Sequence, residues 1–132
     1  MEIKYTTNQK ITVGEFIDIL KRSTLGERRP VDNMDCIKGM LEHTDIIVTA
    51  MDGEKIVGVA RAMTDFNYAC YVSDLAVDIA YQHQGIGKEL IKQVQSQLES
   101  TCKIILLSAP DAKEYYPKIG FEQHPSAWVL TQ

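Results

Sequence analysis

The chain has 132 residues, 45% of them hydrophobic and 24% charged, with a formal net charge of -4; it suits a single domain over 1–132 and is too short for two ordinary ones. That balance excludes a dedicated nucleic-acid binder, which needs clustered Lys and Arg against phosphates. No apolar run approaches the roughly 20 residues of a membrane span, and the N-terminal MEIKYTTNQK lacks the apolar core of a signal peptide, so a cytoplasmic protein with no membrane partner is expected.

In chain order, residues 2–5 read as a short first strand. Thr12 or a neighbour caps a helix with apolar positions Val13, Phe16, Ile17 and Leu20. Gly26 and Pro30 interrupt the pattern, and Asp32 or Asn33 caps a second helix carrying Met34, Ile37, Met40 and Leu41. Residues 46–51 and 56–63, joined by Asp52-Gly53, predict an antiparallel hairpin. A polar turn at 64–68 leads to a third strand, 69–79. A helix from about Ile86 to Glu99 then crosses over to a parallel strand, 103–109. Pro110 ends that strand, Asp111 caps a short helix through Tyr116, and Gly120 closes its last turn. Residues 126–131, with Ala127, Trp128, Val129 and Leu130, read as a C-terminal strand completing a mixed α/β sheet. An uncovered edge there would allow a homodimer.

Metal chemistry has no support in these residues. Cys36, Cys70 and Cys102 are odd in number and lack C-x-x-C spacing, and His43, His83 and His124 form no H-x-x-x-H pair. The stretch YVSDLAVDIAYQHQGIG, Tyr71 through Gly87, is the most informative. It joins a β-rich strand to a glycine-bearing turn that opens a helix with Ile86, Leu90, Ile91, Val94 and Leu98 on one face. At such a start the first amides lack intrahelical partners and the dipole is positive, so they can hold a phosphate or pyrophosphate. A P-loop is excluded, because Gln82 stands where its first Gly belongs and Glu89 follows Lys88. A dinucleotide fingerprint from Gly85 fails at Leu90, where a third glycine is needed.

What remains is Gln82-x-x-Gly85-x-Gly87, preceded by Asp74-Leu75-Ala76-Val77 and followed by Tyr115-Tyr116-Pro117-Lys118-Ile119-Gly120-Phe121. Together, in this order and over nearly the whole chain, these resemble the GNAT superfamily of acetyl-CoA-dependent N-acetyltransferases. The resemblance implies a mixed, mostly antiparallel central sheet flanked by helices, with a splayed parallel strand pair and a bulge in its first strand. It further implies acetyl-CoA as co-substrate and an amine, of a small molecule or a protein, as acceptor.

Residue by residue, the resemblance makes the Leu75 N–H an oxyanion donor and gives the backbone of Leu75, Ala76 and Val77 to the acetyl and pantetheine groups. Gln82, His83, Gln84, Gly85, Ile86, Gly87 and Lys88 would cradle the pyrophosphate, mostly through backbone amides; the Lys88 side chain reads as helix surface. Tyr116 would protonate the departing thiolate, while Tyr115 reads as a packing residue. The family's asparagine after the second splayed strand is replaced by Ala109. Asp74, Ser73 and Tyr71 are nearby bases, with Asp74 the chemically suitable one. Arg29, Arg61, Tyr68 and Trp128 are alternatives for an acceptor pocket, although the plainer reading makes the arginines exposed charges and Trp128 a core residue. A non-catalytic acyl-CoA sensor is the alternative function, which retention of Tyr116 speaks against.

Overall fold

The computed structural model describes residues 2–132. Five strands form one sheet in chain order: β1 (Ile3–Thr7), β2 (Ile46–Asp52), β3 (Lys55–Thr64), β4 (Ala69–Val77) and β5 (Lys103–Leu106). The first four pair antiparallel, and β4 pairs with β5 in parallel. The sheet is therefore mixed and mostly antiparallel, with helices on both faces.

Helix α1 (Val13–Arg22) begins in a complete capping box: Thr12 Oγ1 accepts the Glu15 N–H and the Glu15 carboxylate accepts the Thr12 N–H. Of the two residues able to cap α2 (Met34–Glu42), Asn33 does so, accepting the Cys36 N–H. Phe16, Ile19, Leu20 and Ile37 from these helices meet Val59 and Ala76 on one sheet face. On the other face, α3 (Ile86–Gln95) buries Ile86, Leu90, Ile91 and Val94 against Val48, Ala60, Cys70 and Val72. These two layers hold β4 between them.

Two expected elements end early for local reasons. Strand β4 stops at Val77 because the Asp78 carboxylate accepts the Ala80 N–H and turns the chain into a single 3₁₀ turn, Ile79–Tyr81. Strand β5 stops at Leu106, and Pro110 opens another such turn, Pro110–Ala112. The side chain of Asp111, expected as a cap, lies outside the described residues. A short helix α4 (Tyr115–Lys118) follows.

The C-terminal strand over 126–131 does not form. The segment has no regular structure, and Trp128 and Leu130 are 93% and 92% exposed, so Trp128 is not a core residue. The apolar run Ala127–Leu130 supplied strand residues, but among the described residues no backbone is paired with them, and an unpaired strand is not stable in water.

Candidate active site

The parallel pair is closed only over its first half, from Ala69 opposite Lys103 to Val72 opposite Leu106. Beyond that β5 ends while β4 continues, so the pairing stops where the family resemblance implies a splay. The register with β3 also slips here: Arg61 faces Asp74 and Ala62 faces Val72, which leaves Ser73 as the extra residue of a bulge. After the bulge the backbone alternates regularly. The Asp78 N–H donates to Val57 O across the ladder, while the Val77 carbonyl points outward and accepts from Gln82 Nε2 at 3.2 Å. Strand alternation then puts the Leu75 N–H on the same open side as Val77. Leu75 and Val77 lean their side chains on the α3 layer, whereas Asp74 and Ala76 face α1 and α2.

The turn after β4 is anchored at its start. Asp78 is 5% exposed and receives Arg22 Nη1 at 2.5 Å as well as the Ala80 N–H. Burial pushes its carboxyl up, but the Ala80 N–H and the Arg22 and Lys55 charges outweigh that and hold it below the usual range. The Tyr81 hydroxyl donates to Asp52 Oδ2 at 2.6 Å and ties the turn to the β2–β3 hairpin. Neither Asp78 nor Tyr81 is marked by the family pattern; an Asp two residues before an unpaired N–H is the one local signal available.

Gln82, His83, Gln84, Gly85 and Lys88 are exposed, whereas Ile86 and Gly87 are buried where α3 enters the core. His83 and Gly85 take left-handed φ values of 66° and 80°, turning the chain so that α3 starts at Ile86. Open space lies where a Gly85 Cβ would project. The first amides of α3 thus sit at a free, positive helix end beside the outward edge of β4, a cradle suited to a diphosphate.

Helix α4 brings both tyrosines to this region. Gly120 (φ 102°) allows the Phe121 N–H to bond Tyr116 O at 3.1 Å and the Gly120 N–H to bond Pro117 O at 3.3 Å, which is a Schellman motif. Its hydrophobic contact is Tyr116 against Phe121, edge to face at 5.5 Å. The spacing Tyr-x-x-x-Gly-Phe is therefore a helix stop that fixes the Tyr116 ring. Burial raises the Tyr116 phenol, with a further rise from Tyr115 and a lowering from the Arg29 charge, so it holds its proton at neutral pH. Tyr115 meets Tyr116 edge to face at 5.3 Å and reaches α3: a Cβ built on Gly87 would overlap the Tyr115 hydroxyl. The sequence marks Tyr115 only as a packing residue; its partner across the site is visible only in the tertiary structure.

Asp74 is fully buried, with one oxygen taken by Arg29 Nε and the other by Arg61 Nε, each at 2.5 Å. Arg61 is itself 4% exposed and donates on to Met40 O, so neither arginine is the exposed charge expected. Both Asp74 oxygens are engaged by guanidinium groups, which ties β4 to β3 and to the segment before α2.

A family model described as an acetyltransferase (GNAT) domain matches residues 23–129. An uncharacterized N-acetyltransferase of Pyropia yezoensis is 28% identical over 130 residues, covering 94% of this chain and 72% of its own length. Among solved structures, a GNAT family acetyltransferase of Streptococcus pneumoniae TIGR4 superposes with a TM-score of 0.80 at 22% identity, over 99% of this chain and 100% of that one. The aminoglycoside N-acetyltransferase AAC(6')-Iy, solved with CoA, does so at 0.74 and 17% identity, over 99% and 95%. The architecture is that of the acetyltransferase fold. The chain belongs to the GNAT family.

Proposed function

We propose that this protein transfers an acetyl group from acetyl-CoA to a primary amine, on a small molecule or a protein, within one ternary complex. The observation that carries the proposal is the open side of β4: Leu75 and Val77 present backbone groups beyond the end of β5, and the strand leads directly to the free N-terminus of α3. Relatives named as N-acetyltransferases and a fold neighbour solved with CoA support the same reading.

In this reading the amides of residues 82–88 hold the pyrophosphate, and Val77 bonds the pantetheine arm. The Leu75 N–H stabilises the oxyanion as the amine attacks, a role in which one donor is worth about 3 kcal/mol. Tyr116, kept protonated by burial, delivers its proton to the thiolate. With both Asp74 oxygens engaged, the amine's proton leaves through water. No covalent intermediate is used. The homodimer, expected through a C-terminal strand, moves in this proposal to the outer edge of β5, which has no strand partner among the described residues, and light scattering measures it.

Two assays test the reading. Acetyl-CoA at a hundred times its Kd should stabilise the fold by about 2.7 kcal/mol, visible as a rise in Tm. Gly85→Glu should abolish that rise by placing a carboxylate at the diphosphate, while Gly85→Ala, which carries the same backbone strain, keeps most of it. A panel of amines and peptides assayed for CoA thiol release should then find an acceptor. Binding without turnover of any acceptor would favour the acyl-CoA sensor, and unchanged binding by Gly85→Glu would move the phosphate site elsewhere.

A further inference from the structure

Arg29 stands in the segment between α1 and α2, just after the 3₁₀ turn Leu25–Arg28. Its guanidinium reaches the middle of β4 with three directed bonds: Nε to Asp74 Oδ1 at 2.5 Å, Nη2 to Ser73 O at 2.6 Å, and Nη1 back to Arg28 O at 2.8 Å. Ser73 is the bulge residue, so its carbonyl is the one the β3 ladder leaves over. Asp74 cannot swing away, because Arg61 holds its second oxygen from the opposite side. Two residues beyond Ser73 is the Leu75 N–H.

A bulge is an irregularity that persists only where its freed groups find partners. Here the partner of Ser73 O is a fork-shaped cation fixed by a buried carboxylate, a geometry that lysine cannot reproduce. We propose that Arg29 is a positioning residue: braced by Asp74, it holds the Ser73 bulge in the form that aims the Leu75 N–H into the splay. It touches no reacting atom. Its catalytic consequence rests on the acetyl-transfer reading above, but its structural part does not.

The experiment pairs Arg29→Lys, which keeps charge without the fork, with Arg29→Met, which removes both. In the first arm, needing no substrate, amide hydrogen exchange is followed by NMR in the free protein. The ladder amides of Asp74 and Ala76, which follow the bulge, should exchange about tenfold faster in both variants, while α3 amides keep wild-type rates. Unchanged exchange at 74 and 76, or a uniform rise throughout the fold, overturns the proposal. In the second arm, single-turnover rates are measured with the best acceptor. Arg29→Lys should lose about tenfold in rate with KM for acetyl-CoA within about twofold. Arg29→Met should lose more. A wild-type rate in Arg29→Lys also overturns the proposal. Absence of turnover in the wild-type protein would instead count against the acetyl-transfer reading, and the exchange data alone would then decide on Arg29.

Discussion

The junction of β4 with α3 and the C-terminal segment beyond Phe121 carry equally strong local patterns, yet only the first becomes regular structure. Along the junction the chain is fastened at three points to residues distant in sequence: Ser73 to Arg29, Asp78 to Arg22, Tyr81 to Asp52. Beyond Phe121 the contact made is local, with the Ser126 N–H donating to His124 Nδ1, while Trp128, Val129 and Leu130 stand in solvent. An apolar run is a capacity for burial, and it is realised only against a partner surface. The site belongs to the fastened region, and the tail does not brace it.

Perturbations should therefore divide sharply between the two regions. The largest effect belongs to Tyr116→Phe, which keeps the ring against Phe121 and removes the phenolic proton. Acetyl-CoA binding should persist while the single-turnover rate falls about a hundredfold. A well-folded variant at the wild-type rate would end the general-acid assignment. Next is Asp78→Asn, which should cost about 2 kcal/mol near pH 7 by removing a charge-assisted bond to Arg22. Because the folded carboxyl is held below its ordinary value, its stabilisation is present above about pH 4 and is lost as pH falls through the folded value. Denaturation curves of wild type and Asp78→Asn should accordingly converge toward pH 3. Curves that stay parallel would show that the Asp78 pair does not form in solution.

A smaller effect tests the contact between α4 and α3. Gly87→Ala drives its new methyl into the Tyr115 hydroxyl, and the half-exposed ring can yield, so Tm should drop by only a few degrees. Displacing Tyr115 also displaces its neighbour Tyr116, and the rate should fall about tenfold. Adding Tyr115→Phe removes the overlapping oxygen and should recover most of that rate. A double variant as slow as Gly87→Ala alone would mean the methyl acts on the phosphate loop directly. The smallest effect is expected in the unfastened region: Trp128→Ser should change monomer stability by less than about 0.5 kcal/mol. A clearly larger loss in equilibrium unfolding would show the tail packed in solution, on its own sheet edge or in a dimer.

By itself the sequence determined what is local. The capped starts of α1 and α2, with Asn33 chosen over Asp32 only in the structure, the Asp52-Gly53 hairpin, the crossover into β5 and the glycine turn at Gly85 are each written within a few residues, because caps, turns and periodicity depend on near neighbours. Even the Tyr116 to Phe121 spacing is a helix stop that a short window contains. Only the tertiary structure decided where buried charge is neutralised and where apolar surface finds cover. Asp74, Arg29 and Arg61 meet across 45 and 13 positions of chain, and Tyr115 reaches Gly87 from another helix. The same tertiary dependence left Trp128 outside. A charge or an apolar ring specifies what it needs, but which partner supplies it depends on the packing of elements remote in sequence.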